Sequence, residues 1–597
     1  MKPTIEILDR IRENSRNNKE EIFTRLYRYL LRPDLYYIAY QNLYANKGAS
    51  TKGVDNDTAD GFSAEKINRI ISSLIDESYA PKPVRREYIE KKGNSKKKRP
   101  LGIPTFTDKL VQEVLRMILE AVYEPTFSNY SHGFRPNKSC HTALQSLKKE
   151  FTGVTWFVEG DIKGCFDNID HHILIDVINS KIKDARLIKL IWKFLKSGYM
   201  ENWTYHKTYS GCPQGGIASP ILSNIYLNEL DKFATKFAKE FFKPNDRVSS
   251  LEYGRIRGRI SYAKKCSKTA TGQRKSEFLK EVKVLTAKLR KVPFSPKEDK
   301  VVKYIRYADD FIIGVKGDKT DCEKIKKQFS EFISQSLKME LSDEKTLITH
   351  SNQYARFLGY DIRVRREQKL KPNGMGSLSR TLNNKVELNV PLEDKIMPFL
   401  FEKLAIKQEH DGTIEPAPRK YLYRCTDLEI ISSYNSELRG ICNYYKLAGN
   451  YTKLNYFAYL MEYSCLKTLA GKHDSTTRKI KTKYHIKNGG WGISYTTKKG
   501  QKYCRFAKFQ DCKNNNKVND SITNFGTIYS GTTTTLEQRL SAKVCELCGK
   551  TDAPLEMHHV NKVKNLKGKK NWEIVMIAKK RKTLAVCKDC HHKIHHP

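Results

Sequence analysis

Tyr307-Ala308-Asp309-Asp310 sets two adjacent carboxylates between two apolar runs, Val301-Val302 and Phe311-Ile312-Ile313. The pattern predicts a tight hairpin whose tip carries the acids. Strand alternation sends the two side chains to opposite faces unless the turn bends between them, so that one would bind a metal and the other support it. A second acidic strand end follows Phe157-Val158-Glu159-Gly160, where Asp161 is trailed by Asp167. Two carboxylates about 4 Å apart repel by roughly 4 kcal/mol at an effective dielectric of about 20. Three that converge need cations or a bound proton. Mg²⁺ suits them, because it takes oxygen ligands and keeps waters for substrate phosphates. A pair of such ions serves in-line phosphoryl displacement.

A second constellation lies near the C-terminus. Cys545-Glu-Leu-Cys548 and Cys587-Lys-Asp-Cys590 are two C-x2-C knuckles with 38 residues between them. Four thiolates suit tetrahedral structural Zn²⁺, and so short a unit would draw folding energy from the metal. Met557-His558-His559-Val560 and His591-His592-Lys593-Ile594-His595 add imidazoles beside the knuckles, of which His592, like His596, reads as solvated.

The elements that must position these groups are legible in outline. In Thr24–Tyr44, apolar and aromatic residues recur at helical spacing around a break at Pro33. Residues 84–104 read as a basic hairpin around Gly93-Asn94-Ser95. From 105 to 230 helices alternate with short apolar strands. Pro213-Gln214-Gly215-Gly216 opens a helical run from Ile221 to Leu230, which brings a flexible backbone to a helix start. Residues 241–300 hold 17 Lys and Arg against 6 Asp and Glu, with helical spacing, and read either as a solvated insertion or as a nucleic-acid surface. Strands return over 301–365, and 385–470 reads as long helices. Residues 471–510 carry 11 Lys and Arg against one Asp, with Tyr484, Trp491, Tyr495 and Tyr503 between them. That mixture suits phosphate binding with base stacking, or a basic linker. The last 55 residues or so read as a separate unit.

The chain has 597 residues, which sets a prior of about four domains. Its net charge of +43 points to nucleic acid, since neutralised phosphates release counterions. A 39% hydrophobic and 11% aromatic content fits folded domains. No run reaches the ~18–20 apolar residues that a membrane span needs. The opening MKPTIEILDRIRENSRNNKEE has no apolar leader core, so a cytoplasmic location is expected.

Taken in order, these blocks resemble reverse transcriptases. YADD resembles the catalytic motif of the palm, DIKGCFD the block with the other metal-binding Asp, and PQGGIASP the template- and substrate-facing block. RPLGIP and SHGFRPNKSCHTAL resemble the finger blocks, LSDEKTLITH and FLGYDI the later blocks, and NKGASTKGVD the opening one. The resemblance implies that Asp161, Asp309 and Asp310 are catalytic and hold Mg²⁺. It implies that Phe166 is the aromatic gate that clashes with a ribose 2′-OH, giving a preference for dNTPs. Gln214 would lie near the incoming nucleotide, Arg99 and Lys91 at the triphosphate, and Lys345 near the leaving phosphate.

Arg439-Gly440-Ile441-Cys442-Asn443-Tyr444-Tyr445 resembles the thumb, or maturase X domain, of group II intron-encoded proteins, and the whole chain resembles the bacterial subgroup IIA members. Tyr434, Tyr444 and Tyr445 read as core more than as RNA-stacking surface. The tail resembles HNH endonucleases, which implies His559 as general base and His558, His591 and His595 as holders of one divalent ion. Where that family carries a central Asn, this chain reads Lys582-Thr583.

The implied architecture is multidomain α+β. Residues 1–365 would form an N-terminal extension with right-hand fingers and palm, 366–475 an α-helical thumb, 476–540 a DNA-binding region, and 541–597 a zinc-stabilised ββα HNH domain. The implied function is RNA-directed DNA polymerase, splicing maturase for its own intron RNA, and endonuclease that nicks double-stranded target DNA to prime reverse transcription. A second copy of the chain is a further candidate partner. The alternatives are a retroelement polymerase without a splicing role and an RNA-binding splicing protein with decayed catalysis.

Overall fold

The structure is a computed structural model that describes residues 4–91, 94–212, 215–242, 249–292, 300–366, 371–372, 378–379, 384–486, 489–497, 500–513 and 535–596. It is a mixed α/β protein, and among the described residues no helix is long and apolar enough to cross a membrane.

The centre is a five-stranded sheet. Its order is Ile348–His350, Trp156–Asp161, Asp310–Lys316, Val301–Tyr307 and Ser131–His132. The strands meet as the acidic pattern requires. Tyr307 pairs with Asp310 across the tip of the predicted hairpin, and Asp161 pairs with Asp310 on the other side. The long helix Ser219–Phe241 packs on this sheet with every residue from Ile221 to Asn228 buried, and begins with Pro220 at its first turn, where a missing N–H costs nothing. Pro33 plays the same part. It breaks the helical run as expected and then opens the helix Pro33–Tyr44.

The basic hairpin forms as Val84–Lys91 and Asn94–Ile103, and Tyr199–Glu201 and Thr204–His206 extend it to four strands. The insertion forms two helices, Leu251–Thr269 and Gly272–Leu289. The second buries none of its residues, which is what its even spread of charge allows.

Residues 385–470 are less helical than the spacing predicts. Helices Asp427–Tyr444 and Leu454–Lys472 are present, but Val386–Asn389 is a strand on Tyr360–Val364, and Ile406–Gln408 pairs with Ile414–Pro416. A period of two decides the first case: Val386 and Leu388 are buried while Glu387 pairs with Arg363 at 2.8 Å. This sheet carries chain from both sides of residue 365. The described part of 476–540 also packs on a neighbour. The hairpin Gly492–Thr497 and Gly500–Arg505 lies on the Asp427–Tyr444 helix, where Asn435 donates to the Arg505 carbonyl at 2.8 Å and accepts from the Ala507 N–H at 2.7 Å.

The C-terminal unit has strands Leu555–His559 and Thr583–Cys587 and helices Asn571–Lys579 and Lys588–His595. Its sheet gains a third strand from the far end of the chain. Phe62 pairs with Met557 and Ser63 with Glu556. Phe62 is fully buried and stacks on Tyr40 with ring centroids 4.0 Å apart. One hydrophobic core therefore runs through the N-terminal helices, the central sheet and the Cys/His-rich tail.

Candidate functional site

The acidic centre is built by backbone geometry. Ala308 adopts a left-handed conformation, φ 55°, and its N–H donates to the His132 carbonyl at 3.1 Å. A Cβ at Gly133 would come 2.8 Å from the Ala308 nitrogen, so glycine alone lets the two segments approach. The turn bends at Ala308, and Asp309 falls in the turn while Asp310 opens the next strand, so strand alternation does not govern the pair. Asp310 shares a hydrogen bond with Asp161, and Asp309 lies close enough to Asp161 to feel its charge.

Electrostatics mark this as a site that wants a cation. Burial first, then the hydrogen bond with Asp161 and the charge of Asp309, push the Asp310 carboxyl up to about 8. Burial and Asp161 likewise raise Asp309, while Arg99 and Lys345 pull it down. Lys345 donates to Asp161 at 2.6 Å, and that bond raises the lysine's own pKa. Arg99 and Lys345, distant in sequence, are therefore both brought to the triad. Phe166, five residues after Asp161, lies in a short 3-10 turn, edge-on to Phe134 at 6.1 Å, and its carbonyl accepts from the Cys212 N–H at 2.7 Å. The Lys91 side chain and Gln214 lie outside the described residues.

The structure adds a support that sequence analysis missed. Arg306, fully buried, makes an ion pair with Asp231 at 2.6 Å and donates to the Ala308 carbonyl at 2.8 Å. It ties the acidic turn to the Ser219–Phe241 helix. A lone Arg inside an apolar strand was the available signal.

The tail holds two clusters. The Sγ atoms of Cys545, Cys548, Cys587 and Cys590 lie within 4.8 Å of one another, which fits a four-thiolate zinc site. Burial acts to raise Cys545, but backbone N–H groups of Cys548 and Cys587 outweigh it and lower the thiol to about 6. Such a thiol is poised to ligate.

The second cluster joins His558, His591 and His595 to Asp60, again with ligand atoms within 4.8 Å. Asp60 was not foreseen. It stands five residues beyond the NKGASTKGVD block, in a run with several other acids, and nothing local distinguishes it. Burial opposes its ionisation, but the His558 and His591 imidazoles beside it and the His559 N–H prevail and hold it well below the usual carboxylate range. Burial also opposes the charged form of His591, yet Asp60 and Glu556 raise that imidazole to about 9. The surroundings therefore favour positive charge at this point.

His559 faces elsewhere. Its ring lies 3.0 Å through Nε2 from the Tyr44 carbonyl and 3.5 Å through Nδ1 from Ser50 Oγ. The carbonyl can only accept, so Nε2 carries the proton and Nδ1 offers a lone pair. Burial lowers its pKa and keeps it neutral. That is the protonation state a base requires. Lys582, at the position of the expected Asn, donates to the Ala45 carbonyl at 3.2 Å, and Thr583 is buried in its strand.

Of the aromatic residues read as candidates for base stacking, Trp491 is 2% exposed and donates to Glu462 at 2.9 Å, and Tyr484 donates to Asp427. Tyr503 stays exposed. Tyr434 is buried with its hydroxyl on Ser464 and Thr468, and Tyr444 and Tyr445 donate to the Leu358 and Gly359 carbonyls, so this trio is core as expected.

Three family models match the chain: reverse transcriptase (RNA-dependent DNA polymerase) over residues 89–249, type II intron maturase over 383–537, and AI2M/AI1M-like HNH endonuclease over 545–591. The first stops before the two-helix insertion, and the Asp161–Asp310 pairing joins the acidic strands on either side of it. Among curated relatives, the group II intron-encoded protein LtrA of Lactococcus lactis subsp. cremoris is 58% identical over 598 residues, covering 100% of both chains. A putative COX1/OXI3 intron 2 protein of Saccharomyces cerevisiae is 34% identical over 98% of this chain and 68% of its own. Protein YkfC of Escherichia coli is 33% identical over 57% of this chain and 82% of its own.

Proposed function

The chain belongs to the group II intron-encoded proteins, with reverse transcriptase, maturase and HNH endonuclease domains, and from that premise we propose how its residues divide the work. Asp161, Asp309 and Asp310 hold Mg²⁺ in the palm of a right-hand polymerase whose fingers include the basic hairpin and whose thumb is the pair of long helices. Mg²⁺ bound there supplies charge that activates a primer 3′-hydroxyl and neutralises the leaving pyrophosphate. Lys345 orients Asp161 and stands ready to give a proton or a charge to the leaving group. Arg99, with Lys91, grips the triphosphate of a dNTP, Gln214 lines the nucleotide site, and Phe166 excludes a ribose 2′-OH.

Splicing rests on a different surface. The intron RNA performs the splicing chemistry, and the protein binds it through dispersed Lys and Arg over a chain of net charge +43. In the tail, Cys545, Cys548, Cys587 and Cys590 hold structural Zn²⁺. His558, His591 and His595 hold one divalent ion, and His559 takes a proton from the attacking water. The ion supplies charge at the scissile phosphate. The nick in target DNA then primes cDNA synthesis, and a cytoplasmic protein with access to chromosomal DNA fits that sequence of events.

The single observation that carries this reading is the ladder position of Asp161 against Asp310, with Lys345 on the first. It counts against decayed catalysis, because crowding three carboxylates, with Asp309 and Asp310 raised, is costly in a protein that no longer uses them. The test is splicing of the flanking intron RNA at low Mg²⁺, with and without the protein. Stimulation by both the wild type and Asp309→Ala, with cDNA synthesis only by the wild type, is expected. Failure of both to stimulate, with cDNA made on generic templates, would favour a retroelement polymerase without a splicing role.

A further inference from the structure

The nuclease centre is not confined to the tail. Resting on the reading of His558, His591 and His595 as holders of a divalent ion, we propose that Asp60 is a fourth protein ligand of that ion. The site would then be shared between the tail and a segment 499 positions earlier in the chain.

The placement is specific. Asp60 Oδ2 lies 2.8 Å from His595 Nε2 and 3.2 Å from His591 Nε2, and Oδ1 lies 3.2 Å from His558 Nδ1. Neither ring nitrogen of His558 makes a hydrogen bond, although the residue is only 3% exposed. A buried imidazole aimed at a carboxylate without bonding it is short of a partner, and a shared cation would satisfy both. Glu556 accepts from His591 Nδ1 at 2.7 Å, which leaves Nε2 facing the cluster, the usual arrangement behind a metal-bound imidazole.

Asp60 is held by its backbone rather than by chance contact. The Gly61 N–H donates to the Met557 carbonyl at 3.0 Å, in a left-handed conformation with φ 73° that glycine adopts freely. The next two residues enter the tail's sheet. The His559 N–H donates to Asp60 Oδ1 at 2.6 Å. The same segment supplies the Tyr44 carbonyl that fixes the His559 tautomer. Just outside, Lys588 meets Glu65 at 2.7 Å.

The ligand set bears on which metal fits. Three neutral imidazoles alone suit the softer transition ions. A carboxylate adds a hard anionic oxygen, which admits Mg²⁺ and Mn²⁺. A tail without Asp60 would have its histidines but would hold these harder ions poorly.

The experiment uses the full zinc-loaded chain and Mn²⁺ as probe, read by electron spin echo for ¹⁴N coupling. Coupling to imidazole nitrogen separates this ion from Mn²⁺ on the all-carboxylate palm. Asp60→Asn keeps an acceptor for the His559 N–H, and zinc content and melting temperature report its fold. Should it melt early, Asp60→Ser replaces it. The ¹⁴N-coupled Mn²⁺ is expected to bind about tenfold or more weakly in Asp60→Asn, and Asp60→Glu to recover part of the loss. Unchanged affinity in Asp60→Asn, or tighter binding with faster nicking, would overturn the proposal and make Asp60 a plug rather than a ligand. His595→Ala is the control for the underlying reading. If it too leaves the coupled Mn²⁺ unchanged, the histidines do not hold the ion and the fault lies there.

Discussion

The palm triad and the histidine cluster solve the same electrostatic problem from opposite directions. In the palm, three acids crowd together, and the fold raises the carboxyls of Asp309 and Asp310 by burial and mutual charge. In the tail, three imidazoles gather around one acid that the fold holds ionised. The palm is made by neighbouring strands of a single sheet, so its geometry follows from local pairing. The tail cluster is completed by a residue from the other end of the chain. The first centre tolerates insertions between its strands, as the two-helix insertion between the Ser219–Phe241 helix and the Val301–Tyr307 strand shows. The second depends on a long-range contact and is lost if either end moves.

The sharpest test is a double dissociation. Asp309→Ala should lower primer extension at least roughly a thousandfold, since removing one preorganised electrostatic group at a reacting centre costs on that order. It should leave DNA nicking within about twofold. His559→Ala should do the reverse while keeping its zinc. Parallel assays of both activities on both variants check this, and joint loss in either variant would show that the two centres are not independent.

The scaffolds differ as well. Behind the palm, Arg306→Met strands Asp231 as an unpaired buried charge, and the loss should be about 3–5 kcal/mol in urea unfolding. Arg306→Met with Asp231→Leu should recover most of it. If the double variant is no more stable than the single, the pair is not the reason for the loss.

Acidity separates the centres by where each changes. With Asp310 near 8, Mg²⁺ binding at pH 7 must displace a proton, so the Mg²⁺ needed for half-maximal polymerisation should fall as pH rises from 6 to 8, by up to about tenfold per unit. In the metal-free chain the sign for stability is opposite. Asp310 binds a proton more tightly folded than unfolded, so its contribution is present at low pH and lost as pH rises from the ordinary carboxylate range through about 8. His591 is also raised, to about 9, so its contribution is full below the ordinary imidazole range and is lost as pH rises through about 9. Melting curves with and without Mg²⁺ over this range read both. A flat metal-free profile from 6 to 9 would contradict both assignments.

The smallest effect is expected at Glu556→Gln, which still accepts from His591 but without charge. Nicking should fall about tenfold and polymerisation not at all. An unchanged nicking rate would show that the charge behind His591 is dispensable.

Much of the palm was legible because its motifs sit on strands with clear periodicity. The hairpin tip and the Asp161 strand form as the apolar runs around them predict, and Lys345 lies on Asp161. The bend at Ala308 was not legible, because a left-handed alanine has no sequence signature and is imposed by Gly133 and the His132 carbonyl. The basic, aromatic stretch after 470 was legible only in composition. Its composition suggests a nucleic-acid surface, yet Trp491 and Tyr484 turned inward because Glu462 and Asp427 offer them partners. The strand at Val386–Asn389 was hidden by its length, since so short an alternation does not stand out in sequence from the helical spacing around it.

By itself the sequence determined the donors: the three acids, the four thiols, the tail histidines and the positive charge that draws phosphates. Residue type fixes which ion or proton a group can hold, and spacing within a strand or knuckle fixes which donors are neighbours. Tertiary structure alone decided that Asp60 joins the histidines, that Arg306 anchors the acidic turn and that the tail's sheet begins in the N-terminal segment. Those pairings join residues far apart in the chain, and such contacts are chosen by the shared burial of a whole core rather than by any local pattern.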